Sequence, residues 1–163
     1  MKMSRLVSIL LALTVFGCSD DIQVLEERIK NQAELNNTEI SSVEIKKTAL
    51  YLNTWSKKDF YEDAIDGFLE EDKLDFPKGI EVLFTGSSSI RFWNSLEDDM
   101  QPLKVLNRGF GGAHIAHVNY HFEDVIQRYS PEAIVFFCGT NDLTALKTPE
   151  ETIQDFEILK DRV

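Results

Sequence analysis

Residues 82–91 read VLFTGSSSIR, and this stretch decides the fold. Its first half is apolar, and small polar residues follow without a break from Gly86. An apolar run bounded by turn residues predicts a short buried strand, and serine directly after a strand is a common helix N-cap. We therefore predict a strand over 80–85 that turns at once into a helix over 89–96.

The same transition, from an apolar run to a small or polar cluster, occurs twice more. Arg-Gly-Phe-Gly-Gly at 108–112 follows a predicted strand over 104–107, and Gly-Thr-Asn-Asp at 139–142 follows one over 133–138. In a parallel sheet, the loops after the strands leave from the carboxyl edge, where open α/β proteins form their ligand crevice. We expect the three clusters to converge on one site.

Helical segments alternate with these strands. Apolar residues at helical spacing predict helices over 55–71 and 113–129. A last helix opens at Thr148, with Pro149 at its first position and Glu151 completing a capping box. The alternation predicts an α/β fold, in which helices pack on the faces of a parallel sheet.

Each cluster taken alone is compatible with an ordinary turn or with a different binding loop. Glycine and serine are common in turns and helix caps. The glycines at 109, 111 and 112 invite comparison with a dinucleotide-binding loop, but that motif needs a further glycine where His114 stands. A phosphate-binding loop needs Gly-Lys-Ser or Gly-Lys-Thr, and the clusters contain neither. The sequence therefore predicts no cofactor.

Taken together, the clusters resemble the sequence blocks of the SGNH/GDSL hydrolase superfamily. Residues 82–91 resemble its first block in the Gly-Ser-Ser-Ser subset, 107–112 its second and 139–142 its third. The resemblance implies a flavodoxin-like three-layer sandwich and a serine ester hydrolase acting on small acyl groups, such as acetyl esters of carbohydrates. A noncatalytic lipoprotein that binds carbohydrate or cell-wall polymer in the same crevice is the alternative.

The resemblance also implies residue roles. Ser88 would be the nucleophile that attacks an ester carbonyl. Alignment of the block selects it over Ser89, and Ser87 stands where many members have Asp. The backbone N–H groups of Ser88 and Gly112 and the side-chain amide of Asn141 would form the oxyanion hole.

A serine nucleophile needs a base, usually a histidine oriented by a carboxylate. The family's Asp-x-x-His pair lies near the end of the domain, and no histidine follows Asn141 here. We therefore expect a truncated hydrolase domain over 55–163 with little or no esterase activity. His114, His117 and His121 lie at helical spacing, which leaves open a metal site or a substitute base at His114.

The N-terminus has the layout of a bacterial leader. Two basic residues precede the apolar stretch 6–16, and a glycine stands before Cys18. The stretch is shorter than the roughly 20 residues that a membrane-spanning helix needs, so we predict a signal peptide over 1–17. Residues 13–18, which end in Cys18, resemble a bacterial lipobox. This resemblance implies that Cys18 carries a lipid and that the protein belongs to the cell envelope. It also implies that Ser19 permits export to an outer membrane. A secreted protein with a free Cys18 thiol is the alternative.

The rest of the composition limits the partners. Segment 18–54 is polar and lacks glycine and proline, which predicts a partly helical tether, with a short helix packed on the domain as the alternative. The net charge of −11 argues against nucleic acid as a partner. Cys138 lies in an apolar run, where a small buried hydrophobe is expected rather than a catalytic thiol.

Overall fold

The computed structural model describes residues 18–163. Three parallel strands form its sheet: β1 (Val82–Gly86), β2 (Val105–Gly109) and β3 (Ala133–Phe137). Their order is β2-β1-β3, so the chain moves from β1 to one side of the sheet and then crosses to the other. The predicted α/β fold with a parallel sheet is confirmed, and the strands lie close to where the apolar runs place them.

Helices cover both faces of this sheet. They are α1 (Cys18–Leu35), α2 (Ser42–Trp55), α3 (Glu62–Leu74), α4 (Ser88–Arg91), α5 (Leu96–Asp99), α6 (Ile115–Tyr120), α7 (Phe122–Val125), a 3-10 turn (Gln127–Tyr129), α8 (Thr140–Thr144) and α9 (Pro149–Lys160). Successive residues of β1 point to opposite faces. Leu83 enters a large core with α3, α6, α7 and α9, whereas Phe84 enters a smaller one with α4 and α5.

Two predicted helices are broken in the structure. The helix predicted over 55–71 is wrong at its start, since Trp55 ends α2 and α3 begins at Glu62. The Trp55 indole donates to the Tyr61 hydroxyl at 2.9 Å, and this contact fixes the turn between them. The helix predicted over 113–129 divides into α6, α7 and the 3-10 turn, although its apolar residues still form one buried stripe.

Other helix predictions differ less or are confirmed. The helix predicted over 89–96 is a four-residue α4 that ends at Arg91, and a separate α5 follows it. The capping box at the start of α9 is present, with the Glu151 backbone N–H donating to the Thr148 hydroxyl at 3.2 Å.

Segment 18–54, expected as a tether, folds into α1 and α2 and packs on the domain. Ile29, Ala49 and Leu52 form a buried cluster that includes Ala145 of the domain. Arg28 also donates to both carboxylate oxygens of Glu151, at 2.9 and 2.7 Å. This segment therefore follows the alternative prediction of helices packed on the domain. Its apolar side chains contact a residue of the domain that lies more than ninety positions later in the sequence.

The predicted signal peptide over 1–17 lies outside the described residues. Within 18–163, no helix combines the length and the apolar character needed to cross a membrane.

The flank of the sheet beyond β3 is open. Among residues 18–163, β3 pairs with β1 alone. Val135 is 40% exposed and Phe137 is 53% exposed, although both belong to a strand of apolar residues. This flank therefore combines unpaired backbone groups with apolar side chains, which is the usual character of an edge that another segment can join.

Candidate functional site

Ser88 lies where β1 turns into α4, at the carboxyl edge of the sheet. The turn is tight: Gly86 has φ +133°, and a Cβ there would lie 2.1 Å from the Phe137 carbonyl oxygen. The Ser87 N–H donates to the same oxygen at 3.0 Å, and Ser87 is buried. Ser88 is half-buried at the first position of α4, whereas Ser89 is exposed.

The second cluster packs directly against this turn. The Phe110 N–H donates to the Gly86 carbonyl at 3.1 Å. A Cβ on Gly109 would lie 2.7 Å from the Arg91 backbone nitrogen, and one on Gly111 would lie 3.9 Å from the Ser88 Cβ. The absence of side chains at 109 and 111 thus lets this loop approach α4 and brings it beside Ser88.

Gly112 is held by two aromatic residues. Its φ is +83°, which favours glycine, and a Cβ there would lie 2.4 Å from the Tyr61 hydroxyl. The Trp55 indole N–H donates to the Gly112 carbonyl at 3.0 Å. A side chain at this position would therefore meet Tyr61.

Asn141 reaches the loop from the third cluster. Gly139 has φ +117° and begins the turn from β3 into α8, where Asn141 lies. The Asn141 side-chain amide donates to the Ala113 carbonyl at 2.9 Å, one residue beyond Gly112. The structure therefore brings the three predicted clusters to one edge, with Gly111 next to Ser88 and Ala113 next to Asn141.

The donors at this edge suit a developing negative charge. Within residues 18–163, neither the Ser88 nor the Gly112 backbone N–H donates to a protein acceptor, and Asn141 keeps a second amide hydrogen. An oxyanion hole is built from free donors of this kind. These free donors lie at the same edge of the sheet as the Ser88 side chain.

Asp142 links α8 to α6 and, through Lys147, to α9 at this edge of the sheet. The sequence pattern indicates no separate role for this residue. Its buried carboxylate accepts the Ile115 N–H at 3.1 Å, which anchors the start of α6. Lys147 donates to the same carboxylate at 3.0 Å and also contacts Asp155 on α9. A buried carboxylate with these partners is a structural ion pair rather than an orienting acid for a base near Ser88.

The histidines near this edge are part of the core. His117 accepts the His114 backbone N–H at Nδ1, 2.8 Å away, and donates from Nε2 to the Lys57 carbonyl at 3.0 Å. His114 is buried and packs on Trp55, with 4.5 Å between ring centroids. Both imidazole nitrogens of His117 are therefore occupied.

Burial also makes these imidazoles weak bases. It lowers the pKa of His114 to about 3, and the adjacent His117 acts in the same direction. It lowers the pKa of His117 to about 4 and shifts that of His121 downward as well. A base at neutral pH needs a pKa near 7, so the substitute base considered at His114 is not supported.

The described residues also give no support to a metal site at the histidines or to a catalytic thiol at Cys138. In the described part of the chain, no group of three or more His, Cys, Asp or Glu side chains is placed to hold a metal ion. Cys138 is half-buried, and burial raises the pKa of its thiol to about 12. The Ser88 hydroxyl itself makes no hydrogen bond to any described residue.

No protein-family model matches the chain, and no curated protein sequence does either. A solved structure from Streptococcus pneumonia, described as a "putative platelet activating factor", is similar in fold, with a TM-score of 0.56 and 18% sequence identity. The similarity covers 72% of this chain and 54% of that one, so the chain spans about half the length of the structure it matches. At this identity the similarity shows the fold alone.

Proposed function

We propose that this chain carries the nucleophile and the oxyanion hole of a serine ester hydrolase of the SGNH/GDSL superfamily. The observation that carries the proposal is the position of Ser88, half-buried at the start of α4 and packed beside Gly111. The strand order β2-β1-β3 supports it, because a sheet that reverses at β1 opens a ligand crevice between the carboxyl ends of β1 and β3.

In the proposed reaction, the Ser88 hydroxyl attacks the carbonyl of a small acyl ester. The negative charge that forms on the carbonyl oxygen is stabilised by the Ser88 and Gly112 N–H groups and the Asn141 amide. The alcohol leaves with a proton, and water then releases the acid from the acyl-serine. None of the described histidines suits the role of the base that moves these protons, since all three are buried and weakly basic.

Chemical rescue tests the nucleophile in this chain. Imidazole in solution can act as the missing base, so a fluorophosphonate probe should label Ser88 faster as the imidazole concentration rises. Ser88→Ala should abolish the rescued labelling, and Ser89→Ala is the matched control that should keep it. Labelling that is insensitive to imidazole, or that survives in Ser88→Ala, would contradict the proposal and favour a noncatalytic carbohydrate-binding protein.

We also propose that the protein is attached to the cell envelope through a lipid on Cys18. The support is the leader-like sequence before Cys18. Because α1 packs on the domain, such an anchor would hold the domain close to the membrane surface. Mass spectrometry of the protein from a bacterial membrane should detect a diacylglyceryl cysteine that is lost in Cys18→Ser.

A further inference from the structure

Arg91, at the end of α4, has no partner for its charge. Its guanidinium lies over the Phe92 ring, 5.5 Å from the centroid, and makes neither an ion pair nor a hydrogen bond within residues 18–163. The chain has 28 acidic residues and 17 basic ones, so acidic groups are plentiful. The other described arginines each contact a carboxylate or a backbone carbonyl: Arg28, Arg108, Arg128 and Arg162.

The Arg91 guanidinium and the Ser88 side chain border the same point of the second cluster. A Cβ built on Gly111 would lie 3.1 Å from Arg91 Nη1 and 3.9 Å from the Ser88 Cβ. Because residue 111 is glycine, no side chain separates the two groups there. A molecule whose carbonyl lies at Ser88 can therefore place a neighbouring group against the guanidinium.

Arg91 also borders a cavity of about 500 Å³, together with Trp93 and Asn94. The wall of this cavity carries three carboxylates that stay more than 4.0 Å from the guanidinium: Glu71, Glu97 and Asp98. Glu71 lies 3.9 Å from Arg108, which also lines the cavity, so Glu97 and Asp98 are the carboxylates that disfavour an anion there, whereas the Arg91 guanidinium favours one on the side of Gly111. The planar fork of arginine suits bidentate binding of carboxylate or phosphate.

We propose that Arg91 binds an oxyanion group of the substrate, a carboxylate or phosphate next to the ester. The substrate class is thus an anionic ester rather than a neutral short-chain one. The proposal rests on the proposed role of Ser88 for the position of the ester, but its binding step does not depend on catalysis.

The test uses the Ser88→Ala chain, which cannot turn over an ester, and three matched probes. They are 3-acetoxybenzoate, 3-acetoxyphenyl phosphate and the neutral 3-acetoxybenzamide. We expect NMR titration to show at least one anionic probe binding about fivefold more tightly than the amide, the upper range for an exposed ion pair. The comparison between the two anions identifies which oxyanion the site prefers, and the preference should weaken with added salt.

Adding Arg91→Gln to this chain should abolish the preference for the anion, and Arg91→Lys should keep part of it. Arg162→Gln is the control, an exposed arginine two residues after the end of α9 that should leave the preference unchanged. Equal binding of all probes, no binding at millimolar concentration, or a preference that survives Arg91→Gln would overturn the proposal. If the anion preference holds but fluorophosphonate labelling of Ser88 fails, only the proposed catalytic function is wrong.

Discussion

Mild acid should destabilise this protein through its buried histidines. His114 and His117 are 1% and 0% exposed, and their rings stack with centroids 4.7 Å apart. Burial lowers their pKa values from 6.5 to about 3 and about 4. In the unfolded chain both titrate near 6.5, so below that pH the unfolded state binds protons that the folded state does not.

The sign and the size of the effect follow from these values. Above about pH 6.5 both states are neutral at these positions and the histidines add no pH dependence. At about pH 5, each histidine is roughly 1.5 pH units below its unfolded pKa and costs about 2 kcal/mol of unfolding free energy, at 1.36 kcal/mol per unit. The two together cost about 4 kcal/mol, a large share of the 5–15 kcal/mol typical of a domain. Asp142 acts in the opposite direction, since burial raises its pKa.

Urea unfolding between about pH 8 and about pH 5 measures this loss directly. The matched variant is His114→Phe, which keeps a ring against Trp55 and removes a buried Nε2 that has no hydrogen-bond partner in the described residues. It should lose only about half as much unfolding free energy over the same range, about 2 kcal/mol. Identical pH dependence in the two proteins would refute the assignment to His114.

Three further changes test separate parts of the structure. Gly112→Ala should lower the unfolding free energy by about 1–3 kcal/mol, from strain at positive φ and contact with the Tyr61 hydroxyl, and adding Tyr61→Phe should recover part of it. Arg28→Gln should cost under about 1 kcal/mol, because the Arg28–Glu151 pair is partly exposed, but should speed hydrogen exchange in α1. Phe137→Lys should change the unfolding free energy in urea by under about 0.5 kcal/mol, because this side chain on the open flank of β3 is 53% exposed.

The strands and their loops could be predicted from the sequence because the information is local. Each strand is a short apolar run, and each following loop carries the glycines that the backbone requires, at Gly86, Gly112 and Gly139. The capping box at Thr148 is equally local, since its partner is three residues away. A local structure can be predicted from the sequence when the residues that determine it lie in the same short segment.

The errors have long-range causes. Helical spacing continues through Trp55, but the indole of Trp55 donates to the Gly112 carbonyl, 57 residues later, and the helix ends there. Segment 18–54 is polar in composition, but it forms two helices whose apolar side chains pack against Ala145 and Leu146. The interior position of His117 likewise depends on the Lys57 carbonyl, 60 residues earlier. The spacing of apolar residues along a segment gives no information about contacts with residues that are distant in the sequence.

These long-range contacts connect the N-terminal helices to the candidate oxyanion hole. Trp55 is the last residue of α2, and its indole N–H contacts both the Gly112 carbonyl and the Tyr61 hydroxyl. The Gly112–Ala113 peptide, which adjoins the peptide that carries the Gly112 N–H, is therefore held by a residue outside the three clusters that identify the site. A change that moves α2, although distant in sequence, would disturb the contact with the Gly112 carbonyl, so the first helices support the loop at Gly112 rather than act as a spacer.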